Sequence, residues 1–292
     1  MPRIFDCFTF FNELDILEVR LHEMSPMVHK FVLVEATRTF QGASKPLHYA
    51  NNKDRFAGFA DKIVHVVVDF PDDMSGMLNS KRPTTTWARE HYQRQQIALA
   101  LESAREDDLI MVSDVDEIVS AAALQESLER SASGNLTIFT MPIYSYFINR
   151  RNHGAPWLLG PRMIRFSKFS DGQKMRMSKL YADRKMRGTL AGRIHTRAWN
   201  LVNCGFGSPI IEIPRAGWHM SSIGSWENFR EKVSAYSHEE RKESGMFKSE
   251  DAFLTYILNT TDEVHEFQEL PLFVQRNLAK FSLLHDHQRV AA

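Results

Sequence analysis

Four consecutive residues carry the strongest chemical signal in the chain: Asp114, Val115, Asp116 and Glu117. They follow the apolar run Leu109-Ile110-Met111-Val112-Ser113, which reads as a buried strand. Alternate residues of an extended segment point the same way, so Asp114 and Asp116 can converge on one point. Two carboxylates at close range repel unless a cation lies between them. With no thiolate nearby, the expected occupant is a hard, oxygen-seeking Mg²⁺ or Mn²⁺, which keeps positions open for water and phosphate oxygens. By pattern alone the cluster reads equally as a solvated acidic turn, with Asp114 capping the next helix.

Other residues could join such a site. His219, in Gly217-Trp218-His219, could complete a metal shell as a neutral imidazole, although a lone histidine is more often a hydrogen-bonded core or surface residue. The segment 37–49 places Arg38, Phe40 and Lys45 beside a strand that ends at Glu35, an arrangement able to hold a base and its phosphates or simply to form a polar turn. Missing motifs narrow the chemistry. There is no GxGxxG, no GxxxxGK[ST], no G-x-S-x-G and no HExxH, which disfavours dinucleotide, P-loop, serine-hydrolase and zincin mechanisms. An aspartate-nucleophile phosphatase would carry its acidic pair after the first strand; here it follows the fourth.

The elements that must position these residues alternate. Strands are predicted at 4–11, 31–35, 63–69, 109–113 and 136–148. Helices are predicted from an Asn12 cap through Met24, over 86–105, and from a Ser120 cap to about Arg130, with loops at 37–52 and 72–85. That alternation predicts an α/β fold with a doubly wound, mostly parallel sheet, in which ligands bind beyond the C-terminal ends of the strands. The second half is less regular: a β-like segment at 210–213, the run 216–221, and helices over 225–237, 249–259 and 271–284. A single domain over 1–292 is the simplest organisation, with 1–120 as a nucleotide-binding half and 121–292 as an acceptor half.

Composition sets outer bounds. Basic and acidic residues balance at 36 each, so no net field marks a nucleic-acid binder. Cys7 and Cys204 lack metal-ligand spacing and form no disulfide framework, pointing to a reducing compartment. The first residues carry Asp6, Glu13 and Asp15 and do not read as a signal peptide, and no apolar run reaches membrane length. The expectation is a soluble, cytoplasmic enzyme with peripheral membrane contact left open.

Several segments together resemble glycosyltransferase family 17: FDCFTFFNELDILEVRLHEM (5–24), KFVLVEATRTFQGASKPLHY (30–49), WAREHYQRQQIAL (87–99), DDLIMVSDVDEI (107–118) and AGWHMSSIG (216–224). The resemblance implies a GT-A-like fold, a nucleotide-sugar donor (UDP-N-acetylglucosamine), a glycan or glycolipid acceptor, a divalent ion and inversion at the anomeric carbon. It implies that Asp114 and Asp116 match the metal and nucleotide motif and that His219 reaches the same metal or the diphosphate. Glu35, Arg38, Lys45 and Arg89 are then expected at the donor, with Glu90 and Gln93 either facing it or forming structural ion pairs. Asp251, Glu250, Glu117 and Glu212 are candidates for the base that takes the acceptor proton, Asp251 first; helix capping is the plainer role for 249–251. Two other readings compete: a metal-dependent sugar-nucleotide hydrolase or nucleotidyltransferase, and a non-catalytic glycan-binding domain.

Overall fold

Asp6 and Phe8 of the first strand face one side of the sheet while Phe5 and Cys7 face the other, and both sides are buried. A strand apolar on both faces belongs inside a three-layer α/β arrangement, which this computed structural model has. The structure describes residues 2–77, 84–130, 134–224, 226–235, 249–264 and 267–281. The strands are β1 (Ile4–Phe10), β2 (Lys30–Ala36), β3 (Ile63–Val68), β4 (Leu109–Asp114), β5 (Glu117–Val119), β6 (Leu136–Phe139), β7 (Ile143–Ser145), β8 (Arg150–Asn152), β9 (Arg162–Arg165), β10 (Ile210–Ile213), β11 (Gly217–Ser221) and β12 (Thr261–Glu263). The helices are α1 (Leu14–Met24), α2 (His48–Asn51), α3 (Thr85–Gln95), α4 (Ala121–Arg130), α5 (Gly172–Met177), α6 (Leu190–Cys204), α7 (Trp226–Ala235), α8 (Glu250–Thr260) and α9 (Leu272–Arg276).

The main sheet runs β10-β6-β9-β4-β1-β2-β3. β1, β2, β3 and β4 are mutually parallel, β10 is parallel to β6, and β9 runs antiparallel to both β4 and β6. The chain winds outward from β1 through β2 to β3, then returns to place β4 on the other side of β1. Strand order therefore reverses between β1 and β4, and a crevice opens there beyond their C-terminal ends. A smaller sheet, β12-β8-β7-β11-β5, carries the acidic turn into the second half of the chain.

The expected α/β class and mostly parallel sheet are present; several boundaries differ. α1 begins after Glu13, whose carboxylate accepts the amides of Phe11 and Asn12, and Asn12 makes no cap bond. The helix expected to reach Arg105 ends as α3 at Gln95 and continues as 3-10 turns to Ala100. The strand expected over 136–148 is two strands in different sheets, parted around Pro142. α6 was not expected, because most of its apolar positions face away from the core, Trp199 and Cys204 excepted. Ser120 and Ser249 do cap, accepting the amides of Ala123 and Ala252. Of the predicted helices, positions 225, 236–237 and 282–284 lie outside the described residues, as do 78–83 of the predicted loop.

Candidate active site

The crevice at the β1/β4 reversal is a cleft of about 460 Å³. Phe11 and Glu13 come from the end of β1, Arg38, Phe40 and Lys45 from the segment after β2, and Asp114 and Asp116 from the end of β4. Strand register sets this convergence, since Thr9 pairs with Asp114 and Phe10 with Glu35.

Asp114 is held by two arginines. Its Oδ1 accepts from Arg94 Nη2 at 2.9 Å and its Oδ2 from Arg176 Nη2 at 3.0 Å. Burial alone would raise its pKa; the Arg176 and Arg94 guanidiniums override that and hold the carboxyl well below the usual range. Glu117 is fully buried and saturated. It accepts from Arg176 through both oxygens at 2.9 Å, from Trp157 Nε1 at 2.6 Å and from the Asp114 amide at 3.1 Å. A carboxylate that accepts four hydrogen bonds has no lone pair left for an acceptor proton, and Glu117 instead locks the turn.

The turn is also gripped from below. Arg20 of α1, fully buried, pairs with Asp6 at 2.5 and 2.8 Å and donates through Nη1 to the carbonyls of Asp114 (3.1 Å), Val115 (3.2 Å) and Glu117 (2.9 Å). One guanidinium therefore fixes the backbone that aims both aspartates.

Asp116 has a different set of neighbours. Its Oδ2 accepts from Lys232 Nζ at 3.0 Å, and the same ammonium lies 2.8 Å from Glu13 Oε1. His219 Nε2 stands 3.7 Å from Asp116 Oδ1, while its buried Nδ1 has no hydrogen-bond partner. Strand pairing brings this sequence-distant histidine in: β11 runs antiparallel to β5 with His219 opposite Glu117, and the Met220 amide donates to the Asp116 carbonyl at 2.7 Å. Gly217 starts that strand at φ +148°, and a Cβ there would meet the Ile118 carbonyl oxygen at 2.1 Å. Among the described residues no group of three or more His, Cys, Asp and Glu is placed to hold a metal. Asp116 Oδ1 with His219 Nε2 could serve an ion that takes few protein ligands and completes its shell with phosphate oxygens and water, although Lys232 already occupies Asp116 Oδ2 and the unpartnered Nδ1 is the imidazole nitrogen not closest to Asp116. Asp114 fits it less well, because both its oxygens already accept from arginine.

The remaining predicted residues divide. Lys45 reaches the cleft, 3.7 Å from Glu35 Oε1 and over the Phe11 ring; burial lowers its pKa against the pull of Glu35. Glu35 itself does not line the cleft: it is fully buried and accepts the Tyr49 amide at 3.1 Å, with His65 Nε2 at 3.0 Å. It supports Lys45. Arg38 lines the cleft but is engaged by Asp69 at 3.1 Å and by the Phe70 carbonyl. Arg89 donates to the Phe40 carbonyl at 2.8 Å, bracing the loop from behind, and Gln93 donates to Val34 O at 2.7 Å. Glu90 pairs with Arg94 at 3.3 Å. Glu212 accepts from Tyr181 and Thr140 on β10, at the far edge of the sheet. Glu250 and Asp251 occupy the first turn of α8, both exposed and outside the cleft lining, with Glu250 near the Tyr146 hydroxyl at 3.4 Å. They are not positioned to take a proton in the cleft. Glu13, Lys232, Arg94 and Arg176 were not anticipated. Glu13 was within reach of sequence reasoning, since it follows β1 as the acidic cluster follows β4.

The sequence pattern of glycosyltransferase family 17 matches residues 1–147, half of the chain, including β1, β2, β4 and the acidic turn. The chain belongs to glycosyltransferase family 17. Within curated proteins it is similar to the β-1,4-mannosyl-glycoprotein 4-β-N-acetylglucosaminyltransferases of Rattus norvegicus and Homo sapiens, each 28% identical over 123 residues. Those alignments cover 40% of this chain and 21% and 22% of the relatives, so the chain matches about a fifth of their length. Two solved structures are similar at 12% identity and TM-score 0.36. Glucosyl-3-phosphoglycerate synthase from M. tuberculosis covers 94% of this chain and 92% of its own; 4-diphosphocytidyl-2C-methyl-D-erythritol synthase covers 60% and 84%. At that score neither carries an argument. Among the described residues of this family 17 chain, no helix is long and apolar enough to cross a membrane.

Proposed function

We propose that the chain is an inverting, divalent-metal-dependent glycosyltransferase that moves N-acetylglucosamine from a UDP-sugar to a glycan acceptor. The observation that carries this reading is the cleft at the strand-order reversal, lined by Asp114, Asp116, Lys45 and Phe11, with His219 beside Asp116. Family membership and the names of the curated relatives support the sugar transferred.

In this reading Phe40 and Phe11 offer faces for the uracil, and Lys45 donates to the diphosphate. Asp116 and His219 would hold Mn²⁺ or Mg²⁺; a divalent ion supplies Lewis-acid neutralisation of the departing diphosphate, worth several kcal/mol. Arg94 and Arg176, through Asp114, keep the acidic turn rigid and electrically balanced. Glu13 takes the acceptor proton: two backbone amides tether its Oε2, while Oε1 lies 2.8 Å from the Lys232 ammonium and must part from it to accept that proton. General-base assistance of this kind contributes roughly 10²–10⁴-fold. The donor half is then 1–120, and the acceptor enters over 121–292.

A panel of UDP- and GDP-sugars scored for slow, metal-dependent hydrolysis tests the assignment without needing the acceptor. UDP-N-acetylglucosamine should be turned over, with UDP as product. Asp116→Ala should abolish the gain in UDP affinity that Mn²⁺ brings, and Glu13→Gln should lose turnover while keeping UDP binding. Equal UDP binding with EDTA and with Mn²⁺ would overturn the metal site; sugar 1-phosphate as product would point to a hydrolase or nucleotidyltransferase instead.

A further inference from the structure

The 15-residue helix α6 is amphipathic the wrong way round for a globular surface. Its inward positions are small or polar: Gly192, Thr196, Asn200 and Cys204 recur every four residues and are buried. They are consumed locally. Asn200 exchanges hydrogen bonds with the backbone of Lys179 at 2.8 and 2.9 Å, and Thr196 Oγ1 accepts the Ala182 amide at 3.1 Å. At Gly192 a Cβ would lie 2.1 Å from the Met186 carbonyl oxygen, so only glycine lets the helix pack this closely. The outward face is apolar. Leu190 is 72% exposed, Ile194 61%, Leu201 56% and Val202 83%. At 3.6 residues per turn these four share one side of a rod about 22 Å long, opposite the packed side.

Charge selects what covers that face. From 184 to 211 the sequence holds five cations, Arg184, Lys185, Arg187, Arg193 and Arg197, and no Asp or Glu, in a chain whose charges balance as a whole. Lys185, Arg187, Arg193 and Arg197 are exposed, and the last two lie one turn apart along one edge of the apolar stripe, Arg197 also donating to the Gly207 carbonyl at 3.0 and 3.2 Å. An outward apolar stripe bordered by unbalanced cations matches an anionic bilayer surface, where the apolar side chains enter the boundary of the acyl region and the cations meet lipid phosphates.

We propose that α6 docks the protein onto anionic membrane, lying in the plane of the headgroups. Such a surface would present lipid-borne substrates to the chain; the docking itself does not depend on the transfer reaction. Sedimentation of the full chain with vesicles of phosphatidylcholine, with and without phosphatidylglycerol, tests it. Binding should require phosphatidylglycerol and weaken as salt rises. Ile194→Glu with Leu201→Glu should weaken it by at least about tenfold, since each substitution removes a large buried apolar side chain from the bilayer boundary. Arg193→Glu with Arg197→Glu should weaken it and flatten the salt dependence. All these side chains are exposed and only Arg197 gives up hydrogen bonds, to the Gly207 carbonyl, so thermal melting should be unchanged for Ile194→Glu/Leu201→Glu and UDP binding unchanged for both variants, which separates loss of docking from loss of fold or of the active site. Equal binding to neutral vesicles, or undiminished binding by the Ile194→Glu/Leu201→Glu variant, overturns the proposal. So does a dimer in light scattering that this variant dissolves while the native chain ignores vesicles; α6 would then be a face between two copies.

Discussion

Replacing Arg20 with Met should cost more than any single change in the cleft itself. Its guanidinium has no solvent exposure, two bonds to Asp6, one to Ser113 Oγ at 2.5 Å and three to carbonyls of the acidic turn. Removing one partner of a buried pair costs roughly 3–5 kcal/mol, because the other charge is stranded. The orphaned carbonyls add about 1 kcal/mol or more between them. We expect a loss of about 4 kcal/mol, a large share of the ~5–15 kcal/mol that holds a typical domain. At roughly 2–4 °C per kcal/mol the midpoint falls by about 8–16 °C. Burial already raises the Asp6 pKa against the pull of Arg20. Without that pull it rises further, so Asp6 keeps its proton in the folded variant and loses it on unfolding. The folded variant then binds more protons than the unfolded chain above the ordinary aspartate value near 4, so its stability falls as pH rises from about 4 to 7, and the gap from wild type opens above the raised wild-type value. Urea titrations at both ends of that range measure the effect. Asp6→Leu with Arg20→Met should recover about half the loss, since no charge is left stranded, yet should bind UDP more weakly because the turn has lost its anchor. A single Arg20→Met variant within about 1 kcal/mol of wild type, with no pH trend, would show that this guanidinium does not anchor the turn.

Two further outcomes follow from the same geometry. Burial lowers the Lys45 pKa, so it should lose its proton below the ordinary lysine range; UDP affinity measured by calorimetry should fall as pH rises toward 10, and Lys45→Met should remove that pH dependence along with most of the affinity. Gly217→Ala should destabilise the fold by ~1–3 kcal/mol through its positive φ and the clash with Ile118, and should displace His219. Mn²⁺ should then no longer improve UDP binding, whereas UDP binding without metal should survive.

Local pattern along the chain is enough for part of the architecture. Apolar β-rich runs between amphipathic helices specify a parallel sheet, and the acidic residues directly after the run 109–113 place Asp114 and Asp116 at a strand end. Segments shared with family 17 specify the relatives. What it could not reveal was how each carboxylate is spent, because that depends on partners 20 to 120 residues away. Asp114 and Asp116 look equivalent in sequence, yet one accepts from Arg94 and Arg176 and the other faces His219 and Lys232. Glu117 looked available as a base and is saturated by Arg176 and Trp157; Asp251 looked available and lies outside the cleft. α6 escaped for a related reason. Hydrophobic periodicity announces a helix whose apolar side meets the core, and here the packed side is small or polar, with Thr196 and Asn200 satisfied by backbone groups that only the folded chain brings near.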